Sequence, residues 1–449
     1  MKKIILYTTI CLLFACSSDD LEPTLEQIKD VETSINSVQD LDGILKGALS
    51  RLTQSNYYGR DFIITDEIRG DNVFANGNSG RFQTQGAMTY IPSNNIGIWT
   101  RAYSVIASSN IIINVNIEEL SGDRETGENI QGQALFLRAL AHFDLLRQYG
   151  TQYAGSGSQG VPIVTEFKGD NLFPSRNSVN EVKEAIYSDL DAAFNLMTDE
   201  ISSDKQYPSK YAAKALESRL ALYFEDWSRA ANAAATVIDA DEYTIATATD
   251  YVNSFSVDNS SNSIFELAFD NVDNQGINGL GYIYRGVSYG DIEVHPEVLE
   301  IYEPDDIRLD IFGYEGDLLR NMGKYPTLLG YDNVIVLRIE EVILNYAEAL
   351  FEQGQESEAL TQINKITAAR NASAHSSLTS DAILVERRKE LIFEGFRFFD
   401  LSRAGLPITR FSLNQNIEAT IPAGDYRYAL PIPLTEMDAN SNMDQNPGY

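Results

Sequence analysis

The sequence is short of cysteine, histidine and positive charge, and each shortage narrows what the chain does. Its two cysteines, Cys11 and Cys16, both lie in the first sixteen residues. That rules out a disulfide framework and leaves the body without cysteine chemistry. The three histidines, His142, His295 and His375, are scattered without H-x-x-x-H spacing, which argues against a zinc site. Lys and Arg total 34 against 65 Asp and Glu, for a net charge of −31. So negative a chain repels phosphate backbones and anionic headgroups, which disfavours nucleic-acid binding and electrostatic docking on membranes. After the N-terminus no apolar run approaches the ~20 residues that span a bilayer. There is no P-loop.

What is present is the composition of a folded protein, with 43% hydrophobic and 10% aromatic residues over 449 positions. The N-terminus reads as an address. Lys2 and Lys3 precede a short apolar stretch from Ile4 to Phe14, the form of a secretory signal. The following Leu13-Phe14-Ala15-Cys16 resembles a bacterial lipobox, in which Cys16 is lipidated and becomes the first mature residue. Ser17-Ser18-Asp19-Asp20 is similar to the acidic signal that sends Bacteroidetes lipoproteins to the outer face of the outer membrane. Acyl chains would hold an acidic protein at a membrane without basic residues. The expected organisation is a signal peptide over 1–15, a lipidated tether over 16–24, and helical parts over 25–240 and 241–449 that form one globular unit.

Apolar residues at helical spacing predict a mainly α fold with few short strands. The predicted helices are Gln131 to Tyr149, stopped by Gly150; a segment capped by Ser178 or Asn180; and one opened by Pro208. Others run from Trp227 to Asp239, from Leu337, from Glu356, and as one long helix from Asp381 to Arg403. On the first, Phe136, Leu140, Phe143 and Leu146 are expected in the core, with Arg138, His142 and Arg147 facing solvent or a partner. Two pairs share a local grammar: Leu220 to Tyr223, then Trp227 and Ala230-Ala231; and Tyr346 to Leu350, then Gly354, then Ala359-Leu360. Small residues at a tight helical crossing resemble tetratricopeptide hairpins.

Two long polar stretches, Asp61 to Trp99 and Thr244 to His295, read as loops. Long unstructured loops on a compact domain usually bind something. Sugar rings stack C–H faces on aromatic planes, and their hydroxyls need Asp, Asn and Arg partners. The candidate ligand-binding residues are Tyr57, Tyr58, Asp71, Asn72, Arg81, Phe82, Tyr282, Tyr284 and Tyr289, with Trp99 read as structural.

Motifs for chemistry fail their context. Gly155 to Gly160 fits G-x-G-x-x-G by letter, but a helix precedes it and an extended Val161-Pro162-Ile163-Val164 follows, the reverse of a dinucleotide site. Gly286 to Gly290 fits G-x-S-x-G without the strand and helix that a nucleophile elbow needs. Asn271 to Gly276 starts like a calcium loop, yet its twelfth position is Tyr282 rather than a glutamate. No cofactor is expected, although a structural calcium ion would find oxygen ligands in plenty.

Several motifs together carry a resemblance across nearly the whole chain. They are the lipobox with its acidic tail and Trp99 to Tyr103 leading to Asn110. Next come Gln133 to Ala139 continuing to Gln148-Tyr149-Gly150, and Arg338 to Ala349. Last are Glu386 to Leu391 with Glu394 to Arg397 and Asp400-Leu401, and the ending Leu430-Pro431-Ile432-Pro433 to Gln445-Asn446-Pro447-Gly448-Tyr449. In this order they resemble the SusD/RagB family of nutrient-binding outer-membrane lipoproteins, with Ile339 and Glu341 departing from the pattern. The resemblance implies about four tetratricopeptide-like units under a loop-rich ligand face. It implies a non-catalytic protein that captures oligosaccharides, or peptides, for a SusC-like TonB-dependent barrel. The charged motif residues from Glu386 to Arg397 read as scaffold, pairing at i,i+4 or with a neighbouring element. A surface hydrolase and a purely protein-binding scaffold are the rival readings. Cys16→Ala should leave the protein unlipidated and soluble; membrane fractionation and labelling with a palmitate analogue check this.

Overall fold

In the computed structural model, side-chain caps set the ends of the long helices. The described residues are 35–94, 96–155, 157–167, 171–286, 289–409 and 420–449, so the lipobox at Cys16 lies outside them. Helix α1 (Val38–Leu52) opens with a capping box between Ser37 and Asp40. Next come α2 (Asp61–Arg69), β1 (Val73–Ala75), α3 (Gln83–Ala87) and α4 (Ile98–Ile113). Helix α5 (Arg124–Tyr149) starts earlier than predicted, capped by Asp123, and stops at Gly150. Ser178, not Asn180, caps α6 (Val179–Leu196), in a capping box with Glu181. Ser209 caps α7 (Lys210–Tyr223), which leaves Pro208 just outside the helix. Helix α8 (Trp227–Asp239) matches its predicted bounds.

The C-terminal half adds β2 (Ser263–Leu267), α9 (Leu280–Arg285), β3 (Ile292–Val294), β4 (Phe312–Glu315), β5 (Leu318–Asn321) and β6 (Val334–Arg338). Strand β6 pairs antiparallel with β2, so Leu337 and Arg338 are strand and α10 (Ile339–Glu352) begins after them. Helix α11 (Glu356–Ala369) follows as predicted. The long helix expected from Asp381 to Arg403 is broken into α12 (Ser380–Leu391) and α13 (Arg397–Arg403). The break holds two left-handed residues, Phe393 at φ 70° and Gly395 at φ 79°. There the Gly395 amide donates to the Glu67 carboxylate at 3.1 Å, a bond that a continuous helix would forbid.

Four helix pairs make the scaffold: α1 with α4, α5 with α6, α7 with α8, and α10 with α11. The tetratricopeptide-like grammar is visible in the last two. Each turns through a left-handed residue two positions past its first helix, Glu225 at φ 59° and Gly354 at φ 76°. Ala221, Ala230 and Ala231 are buried in one pair, and Ala347, Ala349 and Ala359 in the other. One hydrophobic core runs from Val38 to Met443.

Two expectations fail for the same reason. Helix α2 lies where a loop was expected, and every one of its residues is buried. A helix enclosed on all sides shows no amphipathic stripe to read. The polar side of α5 is also internal. Arg138 forks onto Asp189 at 2.6 and 2.8 Å, and Arg147 pairs with Asp144. His142 accepts the Val164 amide and hydrogen-bonds the Arg138 carbonyl, and burial pulls its pKa down to about 3. None of these three residues faces solvent or a partner.

The Glu386–Arg397 motif is scaffold, but its ion pairs are remote in sequence. Glu390 meets Arg338 at 2.8 Å, Arg370 at 2.9 Å and Arg308 at 3.4 Å, all within the core. Glu394 adds Arg338 and Lys324, and Glu386 takes Arg308 at 2.6 Å. Burial opposes the Glu390 charge, but the surrounding arginines hold its carboxyl well below its ordinary value of 4.5. Its contribution is therefore complete above that value and is lost as pH falls through the depressed one. Glu390→Ala, which takes a shared buried partner from three guanidiniums, should cost about 3–5 kcal/mol in chemical denaturation at pH 7. The deficit relative to the parent should shrink in strong acid.

Candidate ligand-binding face

The two stretches expected to supply the ligand site come together through one strand pair. Strand β1 pairs antiparallel with β3, Val73 opposite Val294. The pairing lays residues 76–79 along residues 289–291. Asn76 donates through its backbone and side chain to the carbonyls of Asp291 and Gly290, each at 2.9 Å. The buried Asp291 carboxylate accepts from the Ser79 amide and hydroxyl, both at 2.8 Å.

Four of the nine candidates meet on this face. The Arg81 guanidinium lies 4.1 Å over the Tyr289 ring, and Tyr282 contacts Tyr289 at 5.8 Å between ring centroids. Phe82 is mostly buried and left-handed at φ 59°, with Arg60 5.8 Å over its ring. Two open clefts flank the 76–83 segment. One, of about 550 Å³, is lined by Arg60, Asp61, Arg81, Phe82, Asn94 and Asn278 among others. The other, of about 870 Å³, is lined by Phe74, Asn76, Glu293, Glu315, Leu318 and Arg320 among others.

The other five candidates are structural. Tyr57 and Tyr58 are 0% and 4% exposed, and both hydroxyls donate to Asp144, at 2.7 and 2.9 Å. Asp71 is gripped by Arg397 at 2.7 and 2.9 Å, and Asn72 bridges Arg388 to Glu67. Tyr284 is buried, donates to the Phe393 carbonyl and stacks on Tyr325. Burial closes all five to a ligand. Trp99 is buried as expected, edge-on to Tyr149.

Sequence reasoning missed the polar residues that line the clefts. Arg60 and Asn278 flank the predicted positions, and proximity to Tyr58 and Tyr282 was the only available signal. Glu315, Leu318 and Arg320 sit on the β4–β5 hairpin, beyond the stretches singled out, and nothing local marks them. Arg320 is 4% exposed. Its Nη1 donates to the carbonyls of Gly290 and Ile292 at 2.8 and 2.7 Å, which fixes the hairpin to the 289–291 segment. Its Nε has no hydrogen-bond partner, and the Glu315 carboxylate stands 3.8 Å away. Burial pulls the Arg320 pKa below the usual arginine value.

Among the described residues no group of three or more His, Cys, Asp or Glu is placed to hold a metal ion. Just before the calcium-like segment, the Asp270 carboxylate accepts the amides of Val272 and Asp273, both at 2.6 Å. A helix, α9, precedes the G-x-S-x-G segment where a nucleophile elbow needs a strand.

A helical-hairpin scaffold carrying a polar, loop-built face with open clefts is the architecture of a binding protein. The chain belongs to the SusD/RagB family. A family profile described as starch-binding, associating with outer membrane, matches residues 20–222, and the SusD family profile matches residues 321–449. SusD-like protein P2 of Formosa agariphila is 27% identical over the whole of both chains. Starch-binding protein SusD of Bacteroides thetaiotaomicron is 31% identical across 26% of this chain and 22% of its own. The crystal structure of a SusD superfamily protein from Bacteroides thetaiotaomicron aligns at a TM-score of 0.83 and 29% identity. The alignment covers 92% of this chain and 100% of that one.

Replacing the buried tyrosines should separate stability from binding. Tyr57→Phe removes one of the donors to Asp144 and should lower stability by about 1–3 kcal/mol. Thermal melting should fall while affinity for any glycan ligand stays unchanged.

Proposed function

We propose that this protein captures oligosaccharides at the outer face of the outer membrane, without chemical turnover. It then passes them to a TonB-dependent barrel of the SusC type, and the lipid on Cys16 holds it in place. The observation that carries the reading is the pair of open clefts that flank the 76–83 segment, with Arg81 and Phe82 in the lining of one and Phe74 in that of the other. Their volumes, about 550 and 870 Å³, fall in the ~300–1,000 Å³ range of small-ligand sites. Phe82 and Phe74 supply aromatic surface at the two clefts, and Asn76, Asn278, Glu293 and Arg320 offer donors and acceptors for hydroxyls. The starch-binding description of the matching profile and the name of the Bacteroides relative support the sugar class. A chain of net charge −31 gains nothing from the long-range field of an acidic cell surface. Its contact with a barrel must therefore be broad and shape-matched.

Calorimetric titration with neutral and acidic oligosaccharides tests capture, and a turnover assay on the same ligands tests the absence of catalysis. Tyr289→Ala, which withdraws the ring from under Arg81, should weaken binding about tenfold or more, by analogy with a stacking loss of ~1–3 kcal/mol. Extraction in mild detergent should return a large barrel in near one-to-one ratio. Hydrolysis by the pure protein, or unimpaired glycan uptake after deletion of its gene, would overturn the proposal.

A further inference from the structure

The two clefts differ in charge, and the difference bears on which glycans fit; this step rests on the capture reading above. In the smaller cleft, Arg60 and Arg81 face a single carboxylate, Asp61. Arg60 is committed. Its Nε holds Asp61 at 2.6 Å, and its Nη1 donates to the Asn278 side chain at 3.2 Å. Arg81 is not. Its one close partner is the Tyr289 ring at 4.1 Å, which meets the face of the guanidinium and leaves the in-plane N–H groups unused. Its Nη1 is shielded from solvent and has no hydrogen-bond partner.

A guanidinium that lines a cleft with no carboxylate partner keeps its charge for an incoming anion. The arginines of the core show the contrast, since Arg308, Arg338 and Arg370 are each paired with carboxylates. On a chain of net charge −31, one cleft thus keeps an excess positive charge. The larger cleft has the opposite balance, with Arg320 against Glu293 and Glu315. An anionic unit is repelled there, and a neutral sugar is not. The 76–83 segment borders both clefts, so an extended chain lying across it meets each in turn.

We propose that the captured ligand is an acidic oligosaccharide whose carboxylate or sulfate ester is held by Arg81, with a neutral sugar unit beside Arg320. A planar guanidinium donates two parallel N–H groups to either oxyanion, a geometry that lysine does not reproduce. Tyr289, packed under the guanidinium, fixes the plane in which that fork lies.

Affinity electrophoresis of the purified chain tests this in gels containing polygalacturonate, carboxyl-reduced polygalacturonate, alginate, a sulfated galactan, starch or laminarin. At least one acidic glycan should retard the protein most, and raised salt should weaken that retardation. Arg81→Met should weaken binding to it at least tenfold, and Arg81→Lys should retain part of the affinity. Both variants should melt with the parent protein, because Arg81 makes no hydrogen bond or ion pair among the described residues. The uronate and sulfate gels separate the two sources of negative charge. Strongest retardation by a neutral glycan, or acidic binding that Arg81→Met leaves intact, overturns the acidic assignment while glycan capture stands. Failure of every gel to retard the protein overturns the capture reading itself, and this assignment with it.

Discussion

The Glu390 carboxylate is the constraint on which the rest of the architecture depends. It is shared by Arg338 at the end of β6, Arg370 at the end of α11, and Arg308. Each is fully or almost fully buried, so no water screens the cluster or takes the place of a lost partner. Neighbouring residues of the same motif extend the network outward. Arg388 and Arg397 grip Asp71 and Asn72, which directly precede β1. One short charged motif thus anchors the hairpin scaffold to the base of the ligand face. Apolar packing alone would tolerate a slide of one against the other. Directional ion pairs do not.

The scaffold was legible in the sequence because its signals are local. Apolar spacing, Ser and Asp caps and the alanine-rich crossings each lie within one element or one tight turn; α8 keeps its predicted bounds and α11 its predicted start. The misreadings arise where tertiary contacts overrule that local logic. The predicted 381–403 helix breaks because Gly395 must reach Glu67, more than 300 positions away in sequence. Arg138, His142 and Arg147 looked like an outer face because polarity normally marks solvent. Here it marks partners on Asp189, Val164 and Asp144.

The candidate face was half legible. Arg81, Phe82, Tyr282 and Tyr289 sit where an aromatic and arginine-rich loop reading places them. Tyr57, Tyr58 and Tyr284 carry the same side chain, but their hydroxyls satisfy buried groups. Residue type alone does not separate a tyrosine that stacks a ligand from one that closes a core. Arg320 was invisible for another reason. Its place beside Gly290 is fixed by the β4–β5 hairpin, and no local pattern near residue 320 reports that contact.

The pairing of β1 with β3 also sets when the face comes into being. Asn76 and Gly290, bonded across it, are 214 positions apart in the chain. Closing so long a loop forfeits entropy before any cleft contact is made, so this junction belongs among the slow, late events of folding. Neither half of the polypeptide holds a cleft alone. A chain folded only part way therefore has its helices but neither cleft.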